Sequence, residues 1–416
     1  MRANPLDLRR PNIRVVKLDV AIAGCGPAGL AAALALARSG HKVHLFDQFE
    51  EPRPVGSGLI MQPAGLSVLD WLGLGEDLRR LGAPIERLFG REAHSGRIVL
   101  DVRYRALGSG KNGLAVHRSA LFNVLFEKAA ASGIAIETRV KIASIDRMAE
   151  RRPVLIANDG RSFGPFDLVI DALGSRSPLI GEASAPASRR QLAYGALWTT
   201  LPWIAGAFDE RALEQRYERA SVMIGVLPVG RRFSSDGTQA TFFWSLKSYD
   251  YPRWKKLGLS LWRDQVVRLW PQTERLIAQI SDPEQLVLAS YGHHTLPLPF
   301  GARIAFIGDS AHSTSPQLGQ GANMALLDVR ALAPALDHPG DLSEALALYA
   351  RKRSLHVRLY QLMSSVFTPF YQSDSHVLPL LRDWLAAPAS QVPPVARGLA
   401  RVVSGDIGLH GDLRVV

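Results

Sequence analysis

The chain has a single cysteine, Cys25, among its 416 residues. No intrachain disulfide and no cysteine-rich zinc site can be built from one thiol, and a reducing cytoplasmic setting is expected. No histidines or carboxylates recur at metal-ligand spacing, so no metal is expected, and no Ser-His-Asp set is evident. Aromatic residues are only 8% of the chain and do not interleave with a basic stripe, so nucleic acid is not an expected partner despite a net charge of +11. Long apolar runs are also scarce. Only Val20 to Ala37 has the length of a membrane span, and it is broken by Gly24, Gly26, Pro27 and Gly29 and is rich in alanine rather than leucine. A buried strand, turn and helix explain it better than a span or a signal peptide.

With 47% hydrophobic residues, the chain can bury a sizeable core, and its length allows about two or three domains. Five basic residues (Arg2, Arg9, Arg10, Arg14, Lys17) fall in the first seventeen, where no apolar periodicity marks a packed element. Residues 1–17 are expected to be a basic, flexible N-terminus; the alternative is loose attraction to anionic lipid, with peripheral contact at the inner membrane.

Leu18 to Ala23 is a strand-length apolar run, followed by Gly24-Cys25-Gly26-Pro27-Ala28-Gly29, a GxGxxG. A helix from Ala28 to Ser39 follows and ends at Gly40; Lys42 to Asp47 is a second strand. Gly24 permits the tight turn, Gly26 lets the backbone approach a pyrophosphate, and Gly29 allows close helix-strand packing. The helix N-terminus offers N–H groups to phosphate, and Asp47 stands where a ribose-binding acid belongs. This half-site does not by itself separate FAD from NAD. Some 280 residues later, a glycine-acid pair closes the strand Ile304 to Gly308, and a loop rich in Gly, Pro and small residues leads into a helix start. That suits a backbone wrapping a diphosphate, and the two segments together point to FAD.

Between them, the stretch from Pro52 to Pro63 reads as a Gly/Pro-rich loop and Ala64 to Leu74 as a short helix; Arg53 is a candidate for the flavin or substrate edge. Arg87 to Val102 reads as a strand pair turning at Ser95-Gly96, and Val154 to Phe163 as a hairpin. Residues 190 to 300 alternate strand-like runs with a tryptophan-rich helical piece from Tyr251 to Ile280. From Leu342 onward the pattern is mostly helical. Tyr194, Trp198, Met223, Phe243 and Trp244 lie on predicted strands and could line an apolar pocket for a small aromatic substrate; core packing is the competing reading for each.

Three blocks, GCGPAG at 24–29, DLVIDALGSRS at 167–177 and GDSAHSTSPQLGQGANMALLD at 308–328, resemble the class A flavoprotein monooxygenases, FAD-dependent aromatic hydroxylases of the para-hydroxybenzoate hydroxylase type. The resemblance covers roughly residues 18 to 330. It implies an α/β fold: a Rossmann-like FAD-binding domain of the GR2 type (18–75, 105–180 and 301–335), an inserted β-sheet substrate domain (76–104 and 181–300) and a C-terminal helical region (336–416). The implied cofactor-binding set is Gly24, Gly26, Pro27, Ala28, Gly29, Asp47, Gln48, Arg53, Arg118, Asp309, Pro316, Gly319, Gly321, Ala322 and Asn323. Within it, Asp309 would bind the ribityl chain, and the turn at 319–323 would turn N–H groups to the pyrophosphate and the flavin's pyrimidine edge. Pro316 would lie at the oxygen-facing side of the flavin, with His312 nearby as a candidate acid-base group.

The middle block departs from the family pattern: Leu173 occupies the position of the usual acid and Asp171 that of the glycine. Either Asp171 substitutes locally or the reductant is handled differently. The implied activity is hydroxylation of a phenol-, salicylate- or quinolone-like molecule by O2 through a flavin C4a-hydroperoxide, with NAD(P)H as co-substrate. The alternatives are a flavin-dependent reductase or dehydrogenase, a monooxygenase fed by another electron source, and a non-catalytic membrane-associated flavin fold.

Overall fold

The computed structural model describes residues 17–50, 57–146, 152–232, 237–409 and 413. Arg53 and most of the basic N-terminus lie outside these residues. The chain has an α/β fold founded on a six-stranded sheet in the order Phe300–Gly301, Ile304–Phe306, Leu168–Asp171, Asp19–Ala23, Lys42–Phe46, Ala135–Glu137. All neighbours are parallel except the short Phe300–Gly301 edge. Parallel strands covered on both faces need apolar side chains on both. Val20 and Ile22 accordingly join the core with the helices Pro27–Arg38 and Gly321–Leu336, while Ala21 and Ala23 pack with Phe46, Val169 and Phe306. The apolar run from Val20 to Ala37 is thus a strand, a turn and a helix. No helix among the described residues is long and apolar enough to cross a membrane.

A second, eight-stranded sheet is mostly antiparallel, in the order His312–Ser313, Val287–Thr295, Ser188–Pro202, Thr238–Lys247, Val222–Arg231, Ala212–Glu218, Arg87–Glu92, Ile98–Arg103. Its two faces diverge because side chains alternate along a strand. Leu197, Ile224, Val226, Phe242 and Trp244 face a helical cover that carries Trp254, Trp262 and Trp270. Met223 and Phe243 cluster separately, with Trp198 against them. Trp244 is therefore not a pocket residue; it packs edge-on against Trp262 in the outer core.

The stretch 52–63 is not a loop throughout. Gly58–Met61 is a strand paired antiparallel with Gly113–His117, and a helix, Pro63–Leu72, follows directly. Glycine serves close approach here: a Cβ on Gly58 would meet Val229 at 2.3 Å and the Thr241 hydroxyl at 2.5 Å. This strand passes tightly beneath the eight-stranded sheet and fastens to it through the Gly58 N–H, which donates to Thr241 Oγ1 at 2.8 Å. The C-terminal region opens with a 30-residue helix, Leu342–Tyr371, whose N-cap Asp341 accepts from Glu344 N.

Candidate functional site

The fingerprint turn is held by contacts that leave no room for side chains. Gly24 has φ +106°, and a Cβ there would lie 2.5 Å from the Ala172 carbonyl oxygen. A Cβ on Gly29 would lie 1.9 Å from the Gly24 oxygen, whereas one on Gly26 would meet nothing within 4 Å. Gly24 and Gly29 are fixed by packing, and Gly26 opens onto a cleft. Gly26 is also the N-cap of helix Pro27–Arg38 and gives it no side-chain cap; Pro27 has no N–H, so the first-turn N–H groups of Ala28 and Gly29 remain for a ligand. Asp47 follows the second strand: its Oδ2 accepts from Cys25 N at 2.6 Å and its Oδ1 from Phe49 N at 3.2 Å. A carboxylate has about four acceptor positions, so capacity remains for ribose hydroxyls. Gln48 beside it is exposed. Burial pushes the Cys25 thiol up, so it stays protonated.

The other wall comes from the 308–328 segment. Asp309 is accessible from the cleft yet enclosed by protein; burial raises its carboxyl, against the opposing pull of Arg118, His312 and His294. Arg118 begins helix Arg118–Ala131, which is capped by the buried His117 ring accepting from Ser119 N at 3.1 Å. Burial and the nearby Arg232 charge lower His117 to about 4, so it remains a neutral acceptor. Gly319 sits at φ +61° and turns the chain into helix Gly321–Leu336, again without a side-chain cap. A Cβ on Gly321 would lie 3.9 Å from Asp309 Oδ1, and Ala322, half-buried, is in the same first turn. Two uncapped helix N-termini, a glycine cradle, a ribose-length acid and a second acid beside a cation fit FAD.

Several residues have roles that differ from the expected ones. His312 is buried, with Nε2 2.6 Å from Asp328 Oδ2, which also accepts from Gly308 N at 2.8 Å. Arg353 Nε donates to Asp328 Oδ1 at 2.7 Å. Burial would raise Asp328, but His312 and Arg353 outweigh it and hold the carboxyl below the usual range. The His312–Asp328 pair therefore fastens this loop to helix Gly321–Leu336. Asn323 spends its side chain internally: Oδ1 accepts from Gln62 N at 2.8 Å, and Nδ2 donates to the Ile60 and Gly319 oxygens. Only its backbone N–H can serve a cofactor. Asp171 is wholly buried; its carboxyl accepts from Leu173 N at 2.9 Å and from the Ser177 hydroxyl, closing its own turn. Leu173 packs against the adjoining core and carries no acid to the cleft.

Pro316 is half-buried beside this loop, and hydroxyls anchor the preceding residues: Ser315 Oγ lies 2.9 Å from Ser364 Oγ and 2.6 Å from Thr368 Oγ1 of the long helix. On the other face of the eight-stranded sheet, half-buried Trp198 packs at a tilt on buried Phe243 with ring centres 4.7 Å apart, and Met223, Tyr217 and Tyr371 lie in the same cluster. Gly225 makes room for the Phe243 ring, since a Cβ there would fall 1.9 Å from it. Trp198 Nε1 donates to the Tyr291 hydroxyl at 2.6 Å, and burial keeps Tyr291 protonated well above its ordinary range, while Arg118 acts on it in the opposite sense. Tyr291 escaped the sequence reading, although the alternation along 287–295 sets it on the Trp198 face. Tyr194 stands apart: its hydroxyl donates to Asp374 Oδ1 at 2.8 Å, tying the sheet to the end of the long helix.

The profile of the FAD-binding domain family matches residues 17–163 and 294–360. An FAD-dependent urate hydroxylase of Klebsiella pneumoniae is 26% identical over 350 residues, covering 81% of this chain and 86% of the relative. A 2-heptyl-3-hydroxy-4(1H)-quinolone synthase of Pseudomonas aeruginosa is 26% identical over 378 residues, covering 88% and 93%. The solved structure of Klebsiella pneumoniae HpxO with FAD and uric acid superposes with a TM-score of 0.78 at 21% identity, covering 93% of this chain and 97% of the other. With the cradle, the two uncapped helices and the locked loop, these matches identify the chain as a member of the FAD-binding domain family, of the flavoprotein monooxygenase type.

Proposed function

We propose that the protein hydroxylates a small, electron-rich aromatic molecule, phenol-, salicylate- or quinolone-like, using O2 and NAD(P)H. The observation that carries this reading is the pairing of His312–Ser313, within the cofactor loop, with Val287–Thr295, which sets that loop at the edge of the sheet carrying Tyr291, Trp198 and Phe243. Bound FAD supplies the oxygen activation. The chain's own residues bind, orient and exclude water. Gly26 and the first turn of the fingerprint helix hold the diphosphate, and Asp47 takes the ribose. Backbone N–H groups at Gly321 and Ala322 stabilise negative charge on the pyrimidine edge.

Trp198, backed by the buried Phe243, receives the substrate ring, and Tyr291 positions it. Because the Trp198 N–H occupies the Tyr291 oxygen, the Tyr291 proton is free to be donated to a hydroxyl, phenolate or carbonyl oxygen of the substrate. The residues at 171–173 favour a second reading of the reductant alone: with Asp171 sealed in its turn, another electron donor replaces NAD(P)H. The setting is taken as cytoplasmic. The test is a panel of phenols, salicylates and quinolones scored by stimulation of NADH and NADPH oxidation and of oxygen uptake. Stimulation by one class with matched oxygen consumption supports hydroxylation. A flat response with both nicotinamides, but turnover with an external reductase, supports the second reading, and oxygen-independent oxidation of NAD(P)H on every substrate defeats both.

A further inference from the structure

The segment after the long helix is amphipathic in the inverted sense. Val377, Leu380, Leu381, Trp384 and Leu385 recur at the spacing of a single helical face, and they are 63%, 57%, 42%, 62% and 65% exposed. The opposite side buries Pro379 and Arg382. Arg382 lies over the rings of Tyr217 and Tyr371 at 5.0 and 5.4 Å, and it donates to Asp383 at 2.7 Å and to the Phe370 oxygen at 2.9 Å. A guanidinium anchored in this way fixes the segment's rotation, including the π-helical turn Arg382–Ala386, and so holds the apolar stripe outward.

Exposed apolar residues and positive charge coincide here. Ten of the fifteen large apolar side chains exposed among the described residues fall between Leu355 and Val395. Residues 351–406 carry seven Lys or Arg against three acids, Asp374, Asp383 and Asp406; Arg353 and Arg382 are buried in ion pairs and Arg401 stands 3.6 Å from Asp406, while Arg351, Arg358, Arg397 and Arg401 are exposed. At the tip of the stripe, the Arg97 guanidinium lies 3.5 Å from the centre of the Trp384 ring.

We propose that this face docks the protein onto an anionic lipid bilayer, with Trp384 and the leucines at the headgroup–acyl boundary and Arg97, Arg397 and Arg401 toward lipid phosphates. A second copy of the chain fits less well. The stripe is about 13 Å long at helical rise, small against the roughly 800 Å² per partner of a standard interface. Self-pairing about a two-fold axis would also bring the same cations face to face. The inference does not depend on the substrate or the reductant.

Flotation of the FAD-loaded protein with vesicles of phosphatidylcholine alone, or with one third phosphatidylglycerol, tests it. The expected result is binding to the anionic vesicles that weakens with added salt and is absent on phosphatidylcholine. The double variant Trp384→Glu/Leu385→Glu should lower the partition coefficient at least about tenfold, through loss of apolar insertion. Arg397→Glu/Arg401→Glu should flatten the salt dependence, and both variants should keep FAD content and turnover of a water-soluble substrate. Absence of wild-type flotation on anionic vesicles would overturn the proposal. So would a W384E/L385E variant that floats like wild type, or one whose only change is a shift from dimer to monomer in light scattering.

Discussion

A methyl group on Gly29 would sit 1.9 Å from the Gly24 carbonyl oxygen, a backbone atom that cannot swing aside. Gly29→Ala is therefore expected to force the fingerprint helix from its strand and to leave less than about a tenth of purified chains with flavin; absorbance near 450 nm against protein content reads this. At the substrate end, Tyr291→Phe removes the hydroxyl that donates to the substrate and accepts from the Trp198 N–H, while the Trp198 and Phe243 rings stay in contact. Losing a hydrogen bond of about 1.5 kcal/mol corresponds to roughly tenfold in KM, with FAD content unchanged; an unaltered KM for every hydroxylated or carbonyl substrate would remove Tyr291 from substrate binding. The tight packing of Gly24 and Gly29 and the place of Asp47 at the end of the second strand were legible in the sequence because they follow from backbone geometry at fixed spacing. Tyr291 was not, because its significance lies in the Trp198 partner 93 residues away.

Between elements, the Gly308–Asp328 loop keeps its shape through an ion cluster that joins two helices. Asp328 accepts from Gly308 N, His312 and Arg353, all buried. Asp328→Asn leaves the Arg353 charge uncompensated, at a cost of about 3–5 kcal/mol, and thermal unfolding followed by circular dichroism should show the loss together with weakened FAD retention. Because the folded Asp328 carboxyl is depressed, its contribution is present above the ordinary aspartate range and is lost as pH falls through the folded value. Asp171 has the opposite sign. Burial raises it from 3.8 to about 6, so the folded chain holds a proton that the unfolded chain has lost, and stability declines as pH rises across that interval. Asp171→Asn should flatten the Tm profile between about pH 4 and 6; a profile as steep as wild type would assign the slope to other groups. The sequence showed the 308–328 block as a cofactor loop. It could not show that His312 serves Asp328, because Arg353 completes the cluster from a helix with no recognisable motif.

For the molecule as a whole, the parallel sheet, the inserted antiparallel sheet and the helical C-terminus were readable from apolar run lengths and glycine placement. Short strands at domain crossings were harder to read. Gly58–Met61 has the Gly/Pro surroundings of a loop, and only its pairing with Gly113–His117 and its contact with Val229 and Thr241 make it a strand. Side chains alternate across a strand, so Phe243 and Trp244, adjacent in sequence, enter different core clusters on opposite faces of the sheet. The glycine cradle lies against the parallel sheet and the aromatic cluster on the antiparallel one, with the 312–316 edge and the long helix linking them. That arrangement serves oxygen transfer to a bound ring. The most direct test is turnover of the holoenzyme under 18O2 with the best substrate of the panel, read by mass spectrometry of the product. The account predicts one labelled oxygen per hydroxylated product, formed in step with reductant oxidation; reductant consumption with no label in any aromatic product would contradict it.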